Sequence, residues 1–122
     1  MPENRRTTVL FADVTGSTRL YETAGDRQAA EAIGACIDRL CRTTEECGGR
    51  VVKTMGDAVL ALFSGPDMAA SAAGQMHVAV ESLPALGGMK FGLRIGFHSG
   101  TVVQRDADVF GDTVNQIGRA HV

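Results

Sequence analysis

Two aspartates stand where a charge needs a reason. Asp13 follows the apolar run Val9-Leu10-Phe11-Ala12 directly, and Asp57 sits in the short turn Met55-Gly56-Asp57 between two β-rich runs. Either one alone reads as an ordinary turn or cap residue. Brought together they repel, and a divalent cation is the natural remedy. Hard oxygen donors suit Mg²⁺ or Mn²⁺. Two such ions between paired carboxylates suit phosphoryl chemistry, one activating an attacking oxygen and one holding phosphates. The segment after Asp13 is Val14-Thr15-Gly16-Ser17-Thr18. A small, glycine-containing turn entering a helix exposes backbone N–H groups that can cradle a triphosphate. An ordinary helix cap by Ser17 or Thr18 fits the same residues.

Other candidates are weaker by themselves. Asn115 and Arg119 are four apart and share one helix face,. An amide and a fixed cation there could hold a ribose and a phosphate in a transition state. The same spacing also describes a solvated polar face. Lys53 near the hairpin reads as a surface lysine, and Asp108, in a loop ending at Gly111, as a turn residue,. His98 lies among apolar strand residues with no second His or Cys at ligand spacing, and reads as a packed or satisfied histidine and not a ligand,.

The elements that must position these groups follow from periodicity. Thr7 to Val14 reads as a buried strand,. Asp26 opens a long helix to about Cys47, with Ala30, Ile33, Ile37, Leu40, Cys41 and Cys47 at helical spacing, and Gly48-Gly49 stops it,. Val51 to Thr54 and Ala58 to Phe63 form a hairpin,. Gly65-Pro66-Asp67 opens a second helix whose buried face is Met68, Ala72, Met76 and Val80,. Phe91 to Phe97 alternates as a strand, and Ser99-Gly100 turns it into Thr101 to Gln104,. Asp106 to Gly111 is a loop, and Thr113 to Arg119 begins a helical pattern. This order predicts an α+β fold: a ferredoxin-like antiparallel sheet with helices on one face. There the first strand pairs antiparallel with the second strand of the hairpin. The end of one then lies beside the start of the other, and Asp13 meets Asp57.

The 122 residues supply one domain, residues 1–122, with no internal repeat or linker,. Apolar residues make up 44% and charged residues 21%, an ordinary soluble balance,. The net charge of −2 and scattered basic residues argue against nucleic acid, as do the single Tyr and absent Trp,. No apolar run reaches membrane-spanning length and no signal core follows the N-terminus, so a cytoplasmic location is expected. Cys36, Cys41 and Cys47 lack metal spacing and read as free thiols,.

Four motifs in order resemble the class III adenylate and guanylate cyclases: Phe11 to Thr18, Gly48 to Asp57, Arg94 to Gly100, and Asp108 to Asn115 with Arg119. The resemblance covers nearly the whole chain. It implies that Asp13 and Asp57, with the Val14 carbonyl, bind two divalent ions, Mg²⁺ or Mn²⁺. It implies that the turn Thr15-Gly16-Ser17-Thr18 holds phosphates and that Asn115 and Arg119 serve the transition state. Lys53 and Asp108 match the purine-reading positions. A lysine donating to N1 and an aspartate accepting from the N6 amine fit adenine, whereas guanine presents the opposite pattern. The implied reaction is ATP to 3′,5′-cyclic AMP and pyrophosphate in intracellular signalling. The implied assembly is a homodimer in which one chain supplies the metal aspartates and the other the purine and transition-state residues, attached to or served by a regulatory domain. Relative to that family the chain lacks further C-terminal strands and a triphosphate-contacting lysine. A catalytically inactive nucleotide-binding or regulatory module is therefore the second reading, and a guanylate cyclase the third.

Overall fold

The central strand explains why the N-terminal run is so apolar. In the computed structural model, strand β1 (Glu3–Thr15) is buried on both faces: Leu10, Ala12 and Val14 enter one core, and Val9 and Phe11 the other. A strand covered on both sides reads as a continuous apolar run. The structure describes residues 3–84, 90–105 and 108–110. Helix α1 (Ser17–Ala24) follows, then α2 (Asp26–Glu46), the hairpin β2 (Arg50–Met55) and β3 (Ala58–Phe63), helix α3 (Pro66–Glu81), and strands β4 (Gly92–Arg105) and β5 (Asp108–Phe110). The sheet order is β2-β3-β1-β4-β5, with every pairing antiparallel. The first four strands have the ferredoxin-like order, and β5 extends one edge.

Helices α2 and α3 pack on one face through Ile33, Cys36, Ile37, Leu40, Ala72, Met76 and Val80. These side chains meet Leu10, Val59, Ala61 and Phe63 of the sheet. The opposite face carries a second apolar cluster, Val9, Val52, Leu60 and Leu62, with Phe11 against it. No helix among the described residues is long and apolar enough to cross a membrane.

Several boundaries differ from expectation. The turn after Gly16 begins a separate eight-residue helix, and the long helix is capped by Gly25, with Asp26 already inside its first turn. Ala29 and Cys36 are buried on α2 while Ala30 is exposed, and on α3 Ala69 is buried while Met68 is only partly so. Ser99-Gly100 does not turn the chain. Thr8 and Thr7 pair with these two residues, and β4 continues along the whole of β1 to Gln104 opposite Glu3. A long partner strand overrides the local turn preference, and Thr8 Oγ1 and Ser99 Oγ lie 2.6 Å apart across the pair. Within the expected loop, Asp108–Phe110 folds back to pair with Val103–Arg105. The helical pattern from Thr113 to Arg119 lies outside the described residues.

The glycines separate two kinds of position. Gly34 lies inside α2, and a Cβ built there meets nothing within 4 Å. Gly49 precedes β2, and a Cβ there would overlap the Phe63 ring. Gly34→Ala should raise unfolding stability by about 1 kcal/mol. Gly49→Ala should lower it by about 1–3 kcal/mol, both read from urea denaturation. Burial also pushes the Cys36 thiol up to about 11. At pH 8 iodoacetamide should therefore modify Cys47 well before Cys36 in the native chain, as followed by mass spectrometry. Unfolding in urea should remove the difference.

Candidate active site

The β1–β3 register decides what Asp13 faces. Asp13 pairs with Ala58, the first residue of β3, so Asp57 in the preceding turn lies beside the next residue, Val14. The Val14 N–H donates to the Asp57 carbonyl at 2.9 Å. Two acids 44 positions apart in sequence are thereby brought to the same end of neighbouring strands. The two-residue turn between Met55 and Ala58 uses Gly56 at φ 60°, a left-handed conformation that glycine adopts without a Cβ penalty,.

The segment after Asp13 is equally defined. Thr15 ends β1, Gly16 caps α1 at φ 91°, and Ser17 is the first helical residue. The cap residue is therefore a glycine with no side-chain cap bond, and neither Ser17 nor Thr18 takes that place. An N-terminus without a side-chain cap presents first-turn N–H groups to an external acceptor. The Ser17 hydroxyl instead donates to Asp57 Oδ2 at 2.9 Å. Beside this bond lies a cavity of 420 Å³, lined by Tyr21, Ile33, Gly34 and Ile37 as well as Ser17 and Asp57.

Paired residues in antiparallel strands share a face. Asp13 therefore shares the face of Phe11, Leu60 and Leu62, opposite α2 and α3. Arg94 of β4 pairs directly with Asp13 and belongs to the same face. Sequence reading held Arg94 only as part of a motif. Its place beside an acid needs the register, which no local pattern gives.

Lys53 reaches this face through an irregularity. Val51 pairs with Ala61, yet Lys53 pairs with Leu60, so the register shifts between them. Without that shift Lys53 would stand opposite Val59, whose side chain enters the helix-side core. The bulge moves it to the side of Asp13 and leaves it half-buried, unlike a surface lysine,. Ordinary strand spacing puts the two about 12 Å apart.

Asp108 opens β5, opposite Arg105. Although β2 and β5 are the two edges of the sheet, they approach each other in space, which brings the strand of Asp108 toward that of Lys53. His98 pairs with Val9 and is exposed, so of the two expected readings it is not a packed histidine. Asn115 and Arg119 lie outside the described residues.

By chemical type, the candidate donors suit a hard divalent ion. They are two carboxylates and a neighbouring main-chain carbonyl, and no cluster of three or more His, Cys, Asp or Glu suited to a metal occurs among the described residues. Mg²⁺ commonly uses one or two carboxylates and fills its shell with water and substrate phosphate. Such a donor set has little to offer a softer metal.

The chain is similar to cyclase catalytic domains in sequence and in fold. Residues 1–121 match the adenylate and guanylate cyclase catalytic domain. An adenylate cyclase of Streptomyces coelicolor is 38% identical over 116 residues, covering 95% of this chain and 29% of that protein. An adenylate cyclase of Anabaena cylindrica is 31% identical, covering 94% of this chain and 26% of that protein. The chain thus spans less than a third of these relatives. Among solved structures, an adenylate/guanylate cyclase/hydrolase from Silicibacter pomeroyi superposes with a TM-score of 0.77 at 30% identity, over 98% of this chain and 70% of that one. The catalytic core of a rhodopsin-guanylyl cyclase with converted specificity, in complex with ATPαS, gives 0.83 at 26% identity, over 97% and 72%. With the fold, the motif order and the family match in agreement, this chain belongs to the adenylate and guanylate cyclase catalytic-domain family.

Proposed function

We propose that this cyclase domain is an adenylate cyclase, converting ATP to 3′,5′-cyclic AMP and pyrophosphate at a homodimer interface. The observation that carries the reading is the β1–β3 register, which brings Asp13, on the face that also holds Lys53, beside the Asp57 turn. Asp13, Asp57 and the Val14 carbonyl would hold two Mg²⁺ or Mn²⁺ ions. When bound, these ions supply charge neutralisation on the phosphates and a more acidic ribose 3′-hydroxyl.

The chain's own groups do the rest. First-turn N–H groups of α1, following Thr15 and Gly16, bind the triphosphate together with Ser17 and Thr18. Arg94, paired with Asp13, offers a cation to the same phosphates,. Lys53 donates to adenine N1 and Asp108 accepts from the N6 amine. Asn115 orients the ribose, and Arg119 stabilises charge on the α-phosphoryl group. The 3′-oxygen attacks the α-phosphorus, its proton passes to water, and the bond to the β-phosphate bridging oxygen breaks with pyrophosphate leaving. Positioning and charge stabilisation account for most of the acceleration.

In a two-fold dimer each site takes its metal acids from one copy and its purine and transition-state residues from the other. The relatives' greater length leaves room for regulatory segments, and we assign this domain to intracellular signalling under such control.

Purified chain with ATP and Mn²⁺ should form cyclic AMP, and Asp57→Ala should lower the rate about 100-fold or more, since several kcal/mol of metal-dependent stabilisation is lost. Nucleotide binding without turnover in a folded dimer would favour the inactive module instead. Preference for GTP in the parent would make it a guanylate cyclase. Base choice gives an independent check. Lys53→Glu should shift the ATP-to-GTP ratio of kcat/KM toward GTP by about tenfold or more, because the donor to N1 becomes an acceptor. An unchanged ratio would remove Lys53 from purine recognition.

A further inference from the structure

Asp57 is held at both ends by one short segment. Val14 N–H binds its carbonyl, and the Ser17 hydroxyl binds its carboxylate at Oδ2, each at 2.9 Å. Ser17 is free for this because Gly16 takes the cap position of α1. Both side chains are half-buried and line the cavity walled by Ile33 and Ile37, a setting where a charged hydrogen bond is less screened than at an open surface,.

A carboxylate at a turn has two free torsions and can present either oxygen or both. Fixing Oδ2 on a hydroxyl restricts the carboxylate's rotamer, and the bond from Ser17 uses Oδ2 and not Oδ1. A small ion with strict octahedral preference gains most from an oxygen held in one place, whereas an adaptable ion tolerates a mobile one. The same bond joins the first residue of α1 to the β2–β3 turn.

We propose that Ser17 is a positioning residue: through its side chain, and apart from any contact of its backbone with phosphate, it orients Asp57 and sets the affinity of the site for small divalent cations. The inference rests on the reading of Asp57 as a metal ligand. It requires a hydroxyl at position 17, so threonine should substitute and alanine should not.

The test is Mn²⁺ binding by the nucleotide-free full chain, titrated by electron paramagnetic resonance, with Mg²⁺ competition. Parent, Ser17→Ala, Ser17→Thr and Asp57→Ala are compared at equal folded fraction, fixed by circular dichroism. We expect Ser17→Ala to weaken Mn²⁺ binding about tenfold, the usual scale for a hydrogen bond to a charged group. We expect it to weaken Mg²⁺ competition more than Mn²⁺ binding, with Ser17→Thr returning both toward the parent. Equal binding by parent and Ser17→Ala, with Asp57→Ala impaired, would overturn the role of Ser17 and leave the metal site standing. Equal losses in Ser17→Ala and Ser17→Thr would overturn it too, since the hydroxyl would then not be the cause. No binding by the parent, or equal binding by parent and Asp57→Ala, would instead overturn the reading of Asp57 on which the inference rests.

Discussion

The antiparallel pairing of β1 with β3 is the constraint on which the other features depend. It runs from Thr8 opposite Phe63 to Asp13 opposite Ala58 and closes on the bond from Val14 N–H to the Asp57 carbonyl. Because the side-chain period of a strand is two, a slip of one residue would send Asp13 into the helix-side core and its neighbours out of it. Burial of Leu10, Ala12 and Val14 against α2 and α3, and of Val9 and Phe11 on the other side, makes such a slip costly,. The hydrophobic pattern that folds the sheet therefore also fixes Asp13 next to the backbone of the Asp57 turn.

Around this axis the remaining groups are aimed by departures from regularity. The register shift between Val51 and Lys53 turns a lysine from the core side to the side of Asp13. A left-handed Gly56 makes the two-residue turn, and a left-handed Gly16 ends β1 and starts α1 within one step. Irregular backbone of this kind concentrates where side chains and N–H groups must be directed at a ligand.

Much of this was legible in the residues. The neighbourhood of Asp13 and the Asp57 turn follows from the apolar run, the hairpin signal and the ferredoxin-like order, because each rests on strong local periodicity. The bulge at Val51–Lys53 was not legible, since Val-Val-Lys-Thr reads equally well as a regular strand. Nor was the pairing of Arg94 with Asp13, a property of register and not of either segment. Ser99-Gly100 misled, because a turn preference of small residues is weak against pairing along a fourteen-residue strand. Ser17 was legible as a member of the turn after Asp13, but its hydrogen bond to Asp57 depends on which residue caps α1, and cap positions are among the least certain features of a sequence,.

The central claim is that Asp13 and Asp57 form one divalent-cation site. The most direct measurement is anomalous diffraction from crystals grown with Mn²⁺ and an ATP analogue that is not turned over. The account predicts manganese peaks within coordination distance of both carboxylates. Peaks touching neither residue, or manganese bound only through the nucleotide with the two aspartates turned away, would contradict it.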